Sequence, residues 1–221
     1  MTFVNDDKKT KLRGVVGYSN ISNPSCYRSK SMTDEEYEKK KNHNISIMLS
    51  EKDGGDFIEA VKDFCRSSKI KYRDIDAKNL PYKVMNLDEE DFDDAEGQEY
   101  FKKYNGRVVV KAVTTQKQAD KLLLIKPTSA GNKRLDIWEA DDFFESGMTV
   151  QIIGELLAMI DDNITIRYTL LGVKAVKKVN EDLIWARGGG ASADESDFDN
   201  TDDDEFEDDD DATSSDDFED F

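Results

Sequence analysis

Ile164-Thr165-Ile166-Arg167-Tyr168-Thr169-Leu170 alternates apolar and polar residues without a break. Successive side chains of an extended chain point to opposite faces, so Ile164, Ile166, Tyr168 and Leu170 share one face and Thr165, Arg167 and Thr169 the other. The stretch is therefore a half-buried β-strand. Asp161-Asp162-Asn163 turns the chain into it, and Met148 to Leu157 supplies a strand before the turn. Beyond Leu170, Gly172 permits a bend and Val173 to Val179 continues as strand.

Upstream, Arg107-Val108-Val109-Val110-Lys111-Ala112-Val113 carries the β-branched residues of another strand. Thr114 to Asp120 connects it to an apolar run at Leu122 to Ile125, followed by a turn at Thr128 to Asn132 before Lys133 and Arg134. Ile45, Ile47 and Leu49 alternate with Ser46, Met48 and Ser50 in a further strand. Residues 11–22 read as a strand in which Gly14 and Gly17 mark a bulge, a bend or a close approach. Between the early and middle strands, Phe57, Ile58, Ala60, Val61, Phe64 and Cys65 recur at three and four positions, which predicts an amphipathic helix from Asp56 to about Ser68, with Asp53-Gly54-Gly55 as a break before it. Thr33 is placed to cap a short helix in box fashion with Glu36. Residues 70–100 are weakly patterned and hold the acidic cluster Asp88 to Asp94, so they read as a largely solvated excursion. The expected fold is mainly β, an OB-fold-like five-stranded Greek-key barrel with one inserted α-helix.

The charge is polarised along the chain. Of the 49 acidic residues 17 lie in residues 188–221, where there is no lysine or arginine, so residues 1–187 carry 32 acids against 31 bases. A segment so charged cannot bury enough apolar surface to offset its ordering entropy, and it reads as a disordered acidic tail. One folded domain follows, a barrel at 1–187, with a disordered tail at 188–221. Phe198, Phe206, Phe218 and Phe221 punctuate the acids, which plain solubilisation does not require.

Catalytic constellations are missing. There is no phosphate-binding glycine loop, no dinucleotide fingerprint and no histidine pair. Cys26, Cys65 and His43 are too few for a structural zinc site and fit reduced thiols and a surface histidine. Asp88 to Asp94 and Asp141-Asp142 fit solvated charge runs better than magnesium sites. No enzyme, cofactor or metal is expected. With neither a spanning apolar run nor a hydrophobic signal core at the start, no membrane is expected either.

The basic residues are more informative. Lys11 and Arg13 enter the first strand, Arg28 lies in the loop after it, Arg107 and Lys111 flank Val109 on one strand face, and Arg167 and Lys174 follow late. Aromatic rings at Tyr18, Tyr27, Tyr104, Trp138, Tyr168 and Trp185 are interleaved with them. A single-strand binder needs both, cations to follow phosphates and rings on which bases stack. Lys11, Arg13, Tyr18, Arg28, Tyr104, Arg107, Lys111, Arg167 and Lys174 are the candidate nucleic-acid contacts. Each ring taken singly fits a core better than a platform, Tyr168 above all.

The end of the chain, a strand closing near Trp185, then Gly188-Gly189-Gly190, then acids rising to a terminal Phe221, resembles the single-stranded DNA-binding proteins of T7-like phages. The order of the body agrees: an early glycine-containing strand, a strand and helix at 44–68, and late strands at 148–179. The resemblance implies an oligonucleotide-binding fold that coats single-stranded DNA without strong sequence preference in replication, recombination and repair, in the cytoplasm of an infected bacterium. It further implies a homodimer whose tail contacts the phage polymerase and helicase-primase. Carried over by position, Phe221 is the terminal aromatic, with Asp216, Asp217, Phe218, Glu219 and Asp220 as its acidic context.

The rival reading is an acidic-tailed protein-interaction or chaperone-like module with no nucleic-acid role, and a metal-dependent nuclease is third. On the first reading a tethered polyanion competes with DNA for the cations of the body. Deleting residues 191–221 is then expected to raise affinity for single-stranded DNA in a fluorescence titration, and unchanged affinity would remove the competition.

Overall fold

In the computed structural model, residues 2–6, 8–25, 32–92 and 94–185 are described. The elements in chain order are β1 (Thr2–Asn5), β2 (Thr10–Ser25), α1 (Asp34–Lys40), β3 (Asn42–Leu49), α2 (Glu51–Ser67), β4 (Tyr82–Val84), α3 (Ala95–Tyr104), β5 (Val108–Thr115), α4 (Gln116–Ala119), β6 (Leu123–Thr128), β7 (Gly131–Arg134), α5 (Ala140–Phe143), β8 (Thr149–Ile160) and β9 (Ile164–Lys177). The alternating stretch at 164–170 is the first half of β9, and the strand before its turn is β8. They form a long antiparallel hairpin from Ile160↔Ile164 to Thr149↔Lys177.

That hairpin closes a barrel. β8 pairs antiparallel with β2, β2 with β3, and β3 with β5, while β9 pairs with β8 on one side and lies parallel to β5 on the other through Ala112↔Tyr168. Five strands thus join in a ring, β2-β3-β5-β9-β8. The remaining strands decorate it. β1 extends the sheet beyond β8, β4 lies on the free part of β5, and the β6–β7 hairpin hangs from β9.

Tyr168 fills the centre, fully buried, and its hydroxyl donates to the Thr10 carbonyl at 2.6 Å, which links β9 to β2 across the interior. Burial pushes its phenol well above the usual pKa. Gly154 of β8 makes room for it, because a Cβ there would lie 2.7 Å from the Tyr168 ring. Phe57 of α2 meets Tyr168 edge-on, with ring centroids 5.5 Å apart, so the inserted helix packs its apolar face against the barrel contents.

Several expectations need correction. α2 begins at Glu51 rather than Asp56, because the Ser50 side chain caps it by accepting from the Asp53 amide. Gly54 is no break; it sits inside the helix where a Cβ would come within 2.8 Å of Val108. The 70–100 region is largely exposed, as expected, but it carries more structure than its weak pattern suggests. It supplies β4, places Tyr82 in the core beside Phe57, and leads into α3, whose cap is Asp94. Residues 131–134, after the expected turn, form β7. The capping box of Thr33 and Glu36 forms as expected. The acidic segment 188–221, and with it the boundary drawn at 187, lies outside the described residues. Among the described residues no helix is long and apolar enough to cross a membrane.

Asp141 pins the end of β2. Its carboxylate accepts from the Ser19 hydroxyl and from the amides of Ile21, Ser22 and Asn23 at 2.6–3.0 Å. Asp141→Ala is expected to cost on the order of 3 kcal/mol, since several donors lose their acceptor at about 1 kcal/mol or more each. Urea unfolding reads the loss.

Candidate nucleic-acid interface

The outer face of the barrel can be read from its register. Tyr18, Ser46 and Lys111 form one row across β2, β3 and β5. The next row runs Asn20, Asn44, Val113, Thr169 and Glu155 from β2 to β8. Ser46, Asn44 and Thr169 are buried, so this face is recessed. Its wall is built where β1 extends β8: Leu157 stands opposite both Arg167 and Asn5, and Phe3 lies two residues before Asn5 on β1. A cavity of about 240 Å³ opens here, with Phe3, Leu157 and Val113 as apolar lining and Arg167, Glu155 and Gln118 as polar lining.

Arg167 is the chemical centre of this groove. It is partly buried, and among the described residues it makes no hydrogen bond or ion pair. Burial lowers its guanidinium pKa from the ordinary value, yet arginine starts so high that it stays charged. A cation stripped of part of its water with no protein partner is a site for an anion from outside. Phe3 is 59% exposed beside it. On the floor, the Asn44 side-chain oxygen is buried without a hydrogen-bond partner. In chain order β3 and β5 are the second and third strands of the ring.

The barrel is an oligonucleotide-binding fold. That fold binds oligonucleotides across the face of its second and third strands. Among solved structures the chain is similar to the single-stranded DNA-binding protein from bacteriophage Enc34 in complex with single-stranded DNA, at a TM-score of 0.53 and 14% identity over 81% of this chain and 97% of that one. The same protein without DNA gives 0.52 and 14% over 89% and 98%. A single-stranded DNA-binding protein encoded by bacteriophage T7 follows at 0.48 and 11% over 84% and 99%. No protein-family model matches the sequence, and no curated protein does.

Of the contacts expected from sequence, Arg167 lines the groove, while Tyr18 and Lys111 lie on the same outer face in the row across β2, β3 and β5. Tyr104 is elsewhere. It is 6% exposed in a second core with Met48, Met85, Val109 and Trp185, its ring edge-on to Tyr100 and its hydroxyl donating to the Asp182 carbonyl. That core covers Val109 and so separates Arg107 from Lys111; the Arg107 Nε donates to the Lys103 carbonyl instead. Trp185 is likewise buried, its indole N–H donating to the Val15 carbonyl and its ring lying over Gly17, where a Cβ would be 2.2 Å away. Lys11, Arg13 and Lys174 lie on another part of the barrel. Arg28 and the tail residues Asp216 to Phe221 lie outside the described residues.

Sequence reasoning missed Phe3. Its only signal was an apolar residue on a short polar approach to the first strand. Trp138 is 68% exposed on the turn before α5, held near the end of β2 where the Ser22 hydroxyl donates to the Ile137 carbonyl. His43, expected at the surface, is buried, its Nδ1 donating to the Ile21 carbonyl at 2.6 Å. The acids considered for metal have structural work: Asp141 holds β2, while Asp88 and Asp94 accept from the amides of Glu90 and Gly97. Among the described residues no three His, Cys, Asp or Glu side chains gather around a metal-sized point.

An unpaired cation in a recessed groove is a stability cost retained for another reason. Arg167→Met keeps the volume and removes the charge, so it is expected to stabilise the fold by about 0.5–1 kcal/mol in urea unfolding. A loss of stability would mean that Arg167 is satisfied within the protein.

Proposed function

We propose that this chain is a non-enzymatic single-stranded DNA-binding protein that holds the strand in the groove between β5, β9 and β1. Phosphates lie against Arg167 and Lys111, and bases stack on Phe3 and Tyr18, where any base presents a usable face. The observation that carries this reading is the unpaired Arg167 and the exposed Phe3 lining one recessed groove on the outer face of an OB barrel, beside its third strand β5. The bound strand in the similar Enc34 protein supports the same reading.

In this reading the protein coats single strands without sequence preference during replication, recombination and repair of phage DNA in the cytoplasm of the infected host. Residues 1–187 form the binding domain. Residues 188–221 are its acidic tail, with Asp216, Asp217, Phe218, Glu219, Asp220 and Phe221 as the docking end for the phage polymerase and helicase-primase, and the protein works as a homodimer. The support for these finer assignments is the resemblance of the chain's end and element order to the T7-like proteins.

Titration of fluorescent oligo-dT with the full chain at low and moderate salt tests the central claim. Phe3→Ala is expected to lose about 1–3 kcal/mol of binding, the contribution of one stacked base. Arg167→Ala is expected to weaken binding and to reduce the slope of log K against log salt by about 0.7, one phosphate contact on a single strand. No binding by the unmodified chain at low salt would end the reading.

A further inference from the structure

Lys11, Arg13 and Lys174, which the groove leaves out, are not scattered. Register places Arg13 of β2 opposite Gln151 of β8, Gln151 opposite Lys174 of β9, Lys174 opposite Ile125 of β6, and Ile125 opposite Arg134 of β7. A single cross-strand row thus reads Arg13, Gln151, Lys174, Ile125, Arg134. Its three cations stand on every second strand, about 10 Å apart at ordinary strand spacing. No carboxylate interrupts it, and along β8 the nearest acid facing the same way is Glu155, four residues or about 13 Å away.

The pairing of the cations sets this row apart. On the helices, Lys39, Lys62 and Arg66 are each joined to a carboxylate three or four residues away, Glu35, Glu59 and Asp63. Among the described residues Arg13, Lys174 and Arg134 pair with none. Two residues along, the neighbouring row runs Lys11, Ile153, Gly172 and Leu123, and Leu123 is 42% exposed. A line of unpaired cations therefore borders an apolar strip. That combination suits a single strand, whose phosphates and base faces are both available, better than a duplex, whose bases are stacked away.

We infer that this row is a second track for single-stranded nucleic acid, separate from the groove, occupied by a further stretch of strand once the groove is filled. The inference rests on the groove reading for the first stretch. A strand longer than the groove runs on to the row, whereas a short one stays in the groove.

The test uses the full chain with two fluorescent oligo-dT probes, one at the short end of the roughly 4–16 nucleotide footprint of an OB barrel and one several times longer. In the triple variant R13A/R134A/K174A the short probe is expected to bind within about twofold of the unmodified chain. The long probe is expected to bind at least about tenfold more weakly at low salt, with a log K against log salt slope smaller by about 2, three contacts at about 0.7 each. The charge-keeping variant R13K/R134K/K174R is expected to bind both probes normally, and circular dichroism confirms that each variant is folded. Equal losses for both probes, or none for either, overturn the second track. Tighter binding by the triple variant also overturns it, since the row would then be holding the chain's own acidic residues. Failure of the unmodified chain to bind the short probe is a different result, and overturns the groove reading itself.

Discussion

The hydrogen bond from the Tyr168 hydroxyl to the Thr10 carbonyl crosses the barrel and ties its last strand to its first. Everything placed on the outside depends on that closure. β9 reaches β5 and β8 together only if the interior is filled, and one ring does most of the filling, with Gly154 cleared beneath it and Phe57 set against its edge. Because inward and outward residues alternate, a strand that turns Tyr168 inward must turn Arg167 outward. The packing requirement and the unpaired cation of the groove are therefore one residue apart by geometric necessity.

The outer face is divided by what covers it. Met85, Tyr104 and Trp185 close over Met48 and Val109, and beyond that cover the face is recessed but open. Gly17 is part of the same division, since it admits the Trp185 indole flat against β2. A larger residue there would lift the ring, uncover the apolar patch and disturb the edge beside Tyr18. The second core thus sets the extent of the groove as well as adding stability.

The parts legible in the sequence were those with local causes. β9, β3 and β5 announced themselves by alternation and β-branching, α1 by its capping box, and Tyr168 as a core ring by the face it shares with Ile164 and Ile166. What stayed hidden was tertiary. Nothing local says that Gly54 belongs inside a helix because Val108 comes within contact distance, or that Tyr104 and Trp185 bury each other's surroundings across 80 residues of sequence. Phe3 gains meaning only when β1 pairs with the far end of β8. Arg134 joins Lys174 only through two strand pairings that bring distant residues into one row. Site residues on a barrel surface are fixed by register, and register belongs to pairs of strands rather than to any one of them.

The ion pairs of α1 and α2 are exposed and local, and such pairs contribute little to folding. The interior is held by apolar packing and by hydrogen bonds such as those to Asp141 and Thr10, which dissolved ions scarcely reach. Ionic strength therefore acts on the outside of this molecule and not on its inside. On the proposed reading, concentrated salt is an eluent for it rather than a denaturant, releasing a bound strand while the barrel stays folded.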